Sequence, residues 1–217
     1  MKQLIFLSLI FTAFHFTGNA QNTRFGFTAG ATFANYNSKS SGQTDNGNSK
    51  TGLTAGVVID IPTGKHFSFQ PAVNFVQKGS KDEQTVNNVT EKVKVNVNSI
   101  EVPLNLLYNS NGETGNFFMG AGPSLAFSLS GKFKYEDNSN SLTQKINFGN
   151  TDNDDMRGLD LGANFLAGYK FKGGLLFAVN YNAGLSNLVP NGTSDDRTRS
   201  HYFGIRLGYL LNNKAKK

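Results

Sequence analysis

The stretch Gly158-Leu-Asp-Leu-Gly-Ala-Asn-Phe-Leu-Ala-Gly-Tyr-Lys-Phe171 is followed, after Lys172 and Gly173, by Gly174-Leu-Leu-Phe-Ala-Val-Asn-Tyr-Asn-Ala-Gly-Leu-Ser186. In the first run Leu159, Leu161, Ala163, Phe165, Ala167, Tyr169 and Phe171 fall on one side of a two-residue period. Asp160, Gly162, Asn164 and Lys170 fall on the other. The second run sets Leu175, Phe177, Val179, Tyr181 and Leu185 against Asn180, Asn182 and Ser186. Strict alternation is the mark of a strand with two unlike faces. The two-residue connection makes the pair a hairpin. A Gly-rich face with scattered charges makes a poor dry core, whereas a face of Phe and Leu suits lipid.

The same pattern recurs at 24–36, 52–61, 66–78, 99–108, 117–130 and 199–211. That makes eight runs, an even number, each near the span of about 9–11 residues that a tilted membrane strand needs. The connections alternate in length: 37–51, 79–98, 131–157 and 187–198 are long, while 62–65, 109–116 and 172–173 are short. Large loops at one end and tight turns at the other are the pattern of a membrane barrel. A soluble lipocalin-like barrel would place its apolar side chains inside instead. The sequence therefore predicts an all-β fold, an eight-stranded antiparallel up-and-down transmembrane β-barrel over residues 21–211. Closing the sheet removes the free edges that a bilayer does not tolerate.

Composition agrees. The chain has 24 Gly, 19 Phe, no Cys, no Trp and 17% charged residues, against about 25% charged residues in soluble domains. The net charge of +6 is spread along the chain, so nucleic acid is not implied as a partner. Residues 1–20 read as a signal peptide, with Lys2, an apolar run from Leu4 to Phe16, and small residues before a cut after Ala20. The run is too short for a membrane helix. The predicted location is the outer membrane, with its lipid as first partner and residues 212–217 as a polar tail.

Three features depart from the simple pattern. Pro71, Pro103 and Pro123 fall inside strands, which predicts bulges or strand ends there, because proline cannot donate to a ladder. Val93, Val95 and Val97 run in the opposite phase to Ile100 and Val102, which predicts a bulge near Asn98. With Phe133, Tyr135, Ile146 and Phe148, these valines suggest hairpins that project past the membrane. His201 sits on the apolar side of the last strand, at its outer rim.

Ser99-Ile-Glu-Val-Pro-Leu-Asn-Leu-Leu-Tyr108 resembles the Ile/Leu-Glu-Ile/Val-Pro-Leu strand of the PorT-like outer-membrane β-barrel family of Bacteroidota, often labelled porins. The resemblance continues at Gly120-Ala-Gly-Pro-Ser124, at Asp160-Leu-Gly162 and at Tyr181-Asn-Ala-Gly-Leu-Ser-Asn-Leu188. It implies an outer-membrane barrel and specifies no activity.

By parity Arg24, Asp60, Lys78, Glu101, Asp160, Lys170 and Arg206 point into the barrel. The interior of an eight-stranded barrel is just wide enough for its own side chains to fill. Buried charges need partners, so these seven are expected to form a salt-bridged plug, with Arg24 beside Asp60 and Arg206 facing Glu101 across the lumen. The alternative is a charged conduction path. Asp195, Asp196, Ser200 and His201 invite comparison with a hydrolase site, but nearness in sequence does not supply hydrogen-bonded partners. Asp152-Asn-Asp-Asp155 lacks the Gly and distal Glu of a calcium hand. No enzyme activity, cofactor or metal is predicted. Two readings of function remain: a structural or surface-interaction barrel whose long loops meet a cell-surface or envelope partner, or a narrow pore or transport component.

Overall fold

Period-two alternation becomes strand along nearly the whole chain in the computed structural model, which describes residues 23–86, 89–137 and 140–211. The predicted signal peptide and the tail at 212–217 lie outside the described residues. The strands are β1 (Arg24–Ser40), β2 (Gln43–Asn46), β3 (Asn48–Pro62), β4 (Phe67–Val86), β5 (Val89–Asn109), β6 (Gly115–Glu136), β7 (Ser141–Lys145), β8 (Leu159–Phe171), β9 (Leu175–Gly184) and β10 (Arg197–Leu210). Eight of them follow the order β10-β9-β8-β6-β5-β4-β3-β1, all antiparallel, and β1 pairs back to β10 from Gly26↔Leu210 to Lys39↔Arg197. The ring is closed. The two short strands add hairpins at its rim, β2 on β1 and β7 on β6.

The faces separate as the alternation dictates. Leu53 and Phe117 are each 65% exposed, while Glu101 and Asp60 are 1% exposed. A soluble barrel would show the reverse. The apolar outer face runs along β6 from Phe117 to Leu129 and along β10 from Phe203 to Tyr209. At about 3.3 Å per residue and a tilt of about 40°, such runs span roughly 15 to 30 Å, the height of a hydrocarbon core. At the end with short turns the belt closes on aromatic contacts, Phe67 with Tyr108 and Phe117 with Tyr169. Inside, glycines leave room for asparagines on the partner strand. A Cβ on Gly56 would stand 2.3 Å from Asn74 Oδ1, and one on Gly204 would stand 2.3 Å from Asn180 Oδ1.

Much of what reads as loop is strand. The segment 79–98 is almost wholly a projecting hairpin, with β4 reaching Val86 and β5 starting at Val89. The prolines do not mark bulges or strand ends, contrary to the sequence expectation. Pro71↔Leu104 and Asn74↔Glu101 keep one register, as do Pro103↔Ser124 and Leu106↔Ala121. Proline's fixed φ fits an extended strand, so the ladder loses a donor and the chain continues. The register does shift between Asn98 and Ser99. The extra residue is Leu129 on β6, opposite the pairs Asn98↔Ser130 and Ser99↔Ser128. β5 therefore keeps its phase, and Val95 and Val97 stay on the inward side with Glu101.

What changes above the membrane is the chemistry of the inner face, from polar to apolar. Val97 packs with Tyr36, Ile146, Met156 and Leu188, and Val95, Phe133 and Phe148 join from the edge. Residues 146–157 are thus no free loop. Ile146 N donates to Gly131 O, Arg157 N donates to Leu188 O, and Phe148 bridges Met156. The segment folds over the mouth as an apolar lid.

Candidate functional site

Below the lid the lumen is filled by two ionic clusters with a layer of amides between them. Toward the short turns, Asp60 accepts from Arg24 Nη2 at 2.9 Å and from Lys170 Nζ at 3.1 Å, with Gln70 Nε2 at 3.5 Å. The register pair Arg24↔Asp60 puts the first contact on neighbouring strands. Lys170 comes from β8, across the ring, and its Nζ lies 5.1 Å over the Phe118 ring.

Toward the lid, Lys78 Nζ contacts Asp160 Oδ2 at 3.0 Å and Glu101 Oε2 at 3.3 Å. Asp160 also accepts from Ser200 Oγ at 2.5 Å and Ser186 Oγ at 3.1 Å. Tyr202 Oη donates to Glu101 Oε1 at 2.5 Å, and Arg206 Nη2 donates to Tyr202 Oη at 3.3 Å. Between the clusters, Asn180 Nδ2 donates to Asn164 Oδ1 and Asn164 Nδ2 to Asn105 Oδ1. Asn182 Nδ2 donates to Ser124 Oγ.

The structure brings together all seven residues that parity places inside, in two groups. It corrects one expected contact: Arg206 does not pair with Glu101, whose cation is Lys78. Charges balance in the upper group, where Lys78 and Arg206 stand against Glu101 and Asp160. Such a network satisfies groups that would otherwise be costly to bury. An inner cavity of about 40 Å³ is lined by Asn74, Asn180 and Arg206, among others. Among the described residues Asn74 Oδ1, Asn180 Oδ1 and Arg206 Nε have no protein hydrogen-bond partner. The cavity is large enough for one or two waters to serve them. A larger hollow, about 510 Å³, lies on the outer wall among Met119, Ala121, Phe165 and Phe203, on the lipid side.

The residues that suggested chemistry do not converge. Ser200 Oγ turns inward to Asp160, while His201, on the next face of the strand, stacks outside on Tyr181 with ring centres 6.3 Å apart. Asp195 pairs with Lys39 at 2.7 Å, which holds its carboxyl below the usual range. In 152–155 each carboxylate serves a different donor. Asp152 takes Asn191, Asp154 takes Thr151 and Asp155 takes Asn147 N. No metal-binding group of carboxylates and histidines occurs among the described residues.

The segment 181–188 ties these layers together. Tyr181 meets His201 outside, Asn182 reaches Ser124, Ser186 reaches Asp160, and Leu188 enters the lid. Asn187 clasps the following loop by donating to Thr193 O and Asp196 O and accepting from Val189 N and Thr198 N.

Residues 19–189 match the family described as outer membrane protein beta-barrel domain. The chain belongs to that family. It is an outer-membrane β-barrel, and the matched part ends before β10, the strand that closes the ring. Among curated proteins no sequence matches this one. Solved structures with a similar course include Ail, the attachment invasion locus protein of Yersinia pestis, at 13% identity and TM-score 0.40, covering 88% of this barrel and 99% of Ail. Neisserial surface protein A is similar at 12% identity and TM-score 0.42, covering 86% and 97%. The N-terminal barrel domain of Pseudomonas aeruginosa OprF stands at 10% identity and TM-score 0.35, covering 85% and 97%.

Proposed function

We propose that this barrel is a non-enzymatic structural and surface-interaction protein, exported by a signal peptide cut after Ala20, with its lumen shut and its long hairpins turned outward from the cell. The observation that carries this reading is the filled interior. Two ionic clusters, an amide layer and an apolar lid occupy the lumen, and the cavity beside the amide layer holds only about 40 Å³. With the lumen closed, the parts able to meet a partner are the projecting hairpins, and loops on a rigid scaffold commonly carry binding. The resemblance to PorT-like barrels of Bacteroidota supports the same placement without adding an activity.

Because the chain has no Cys, single introduced thiols report topology cleanly. Ser141→Cys should react with an impermeant maleimide on intact cells, whereas Thr63→Cys should react only after the outer membrane is permeabilised. The opposite pattern overturns the orientation, and loss of both from the membrane fraction overturns the barrel's placement.

A further inference from the structure

Above the register shift, β4, β5, β6 and β7 form one sheet whose inner side packs on the lid through Val95, Val97 and Phe133. Its outer side is ordered into rows by the ladder. The row nearest the apolar belt runs Gly79, Asn96, Lys132, Lys145. Lys50 lies over its end, with Cδ 3.0 Å from where a Cβ on Gly79 would stand. The next row is Lys81, Lys94, Lys134. Acids enter only in the outermost row, where Lys92 stands between Glu83 and Glu136. Lys92 pairs with Glu83, and Lys94 and Lys134 share Glu136. Lys81, Lys132 and Lys145 have no ion-pair partner among the described residues. Burial, and then the Lys94 charge, push the Lys50 ammonium below its ordinary range, as expected where positive charge is crowded.

The far side of the barrel also carries outward cations beyond the lipid-facing residues. Above the lipid-facing Phe203, the outer side of β10 rises through His201 and Arg199 to Arg197, with Lys39 opposite Arg197 on β1. Lys39, which pairs with Asp195, lines with His201, Arg199 and Arg197 a hollow of about 160 Å³, and Arg199 Nε is buried there without a hydrogen-bond partner.

We propose that these outward cations form a collar that binds the phosphate groups of outer-leaflet lipids. They face away from the mouth, on the same side of the same strands as the lipid-facing residues. They begin within three or four residues of Leu129 and Phe203, at Lys132 and Arg199. Lysines stand in the two rows nearest the belt, and the acids stand only in the row farthest from it, where Glu136 reaches back to Lys94 and Lys134 and leaves Lys81, Lys132 and Lys145 unpaired among the described residues. A soluble polyanion gives no reason for that gradient, whereas an anionic surface does, because its attraction fades within about a Debye length. Ammonium and guanidinium groups bind phosphate through charge-assisted hydrogen bonds.

The proposal rests on the reading that the hairpin end lies at the outer leaflet. Native mass spectrometry of the detergent-extracted full chain tests it, with bis-phosphorylated lipid A, the same lipid dephosphorylated, and inositol hexakisphosphate as a soluble probe. The phosphorylated lipid should be retained in preference to the other two. Lys81→Gln/Lys132→Gln/Lys145→Gln with Arg199→Gln should weaken retention by about tenfold or more, while the heat-modifiable electrophoretic shift shows that the variant still folds. Equal retention of both lipids, or no loss in the folded variant, overturns the collar. Preference for inositol hexakisphosphate assigns the cations to a soluble polyanion and also overturns it. A wrong orientation would show separately, as reversed thiol labelling of Ser141→Cys.

Discussion

The Tyr202 hydroxyl donates to Glu101 Oε1 across the lumen at 2.5 Å, and the Arg206 guanidinium rests on that same hydroxyl at 3.3 Å. β10 and β5 lie four strands apart in the ring, so the charges that parity sets opposite each other are bridged by a neutral phenol. Glu101 finds its cation next door, in Lys78 on β4.

Lys78 is therefore the residue whose loss should hurt most. Lys78→Met leaves both Glu101 and Asp160 buried without a cation, and breaking a buried pair from one side costs about 3–5 kcal/mol. Arg206→Ala removes a half-buried group that donates to a neutral oxygen, worth about 1 kcal/mol. Thermal unfolding in detergent should rank Lys78→Met well below Arg206→Ala. Equal midpoints would show that the upper cluster is organised around Arg206 instead.

Tyr202→Phe keeps the ring under Lys78 Nζ, 5.5 Å from its centroid, and deletes only the hydroxyl. Glu101 Oε1 then lacks its donor, at a cost of about 1–3 kcal/mol. Combined with Glu101→Gln the losses should be less than additive, because the two groups share one network. Strict additivity in urea unfolding would contradict the bridge.

The lid should come apart without the barrel. Met156→Ala or Ile146→Ala removes apolar volume from the cluster over the mouth, which costs about 2–5 kcal/mol when such a site is well packed. Limited proteolysis should then cut within 146–157 while the heat-modifiable form persists. Cleavage spreading into β8 or β9 would mean that lid and wall unfold together.

The outer hairpin carries its own pH marker. Hydrogen bonds from Lys134 and Lys94 lower the Glu136 carboxyl from 4.5 to about 2. A carboxyl depressed on folding stabilises the fold above its unfolded value and loses that contribution as pH falls through its folded one. Glu136 should accordingly stay ionised at pH 3 and titrate near 2 in a carboxyl NMR experiment, moving toward 4.5 in Lys94→Gln/Lys134→Gln. A wild-type midpoint near 4.5 would show that the two lysines do not hold it.

Strand parity made the barrel and its inner charges legible, since alternation decides which way every side chain points once one face meets lipid. It also set Asn164, Asn180 and Asn182 on the inner face, but parity does not say which inward groups touch, so the Tyr202 bridge was not visible. The lid was hidden for a different reason. Ile146, Met156 and Leu188 are scattered apolar residues in polar stretches, with no period to announce them. Pro71, Pro103 and Pro123 misled because proline signals a lost donor, and a ladder tolerates that loss without a bulge.

The central claim, that the lumen is closed by its own side chains and lid, meets its most direct test in planar-bilayer recording of the refolded full chain. Wild type should show no steady conductance. Lys78→Ala/Asp160→Ala with residues 146–157 deleted should show measurable openings, because it empties the upper cluster and unroofs the mouth. Stable, ion-selective openings in wild type, with selectivity altered by Glu101→Gln, would show that these charges line a conduction path and would contradict the account.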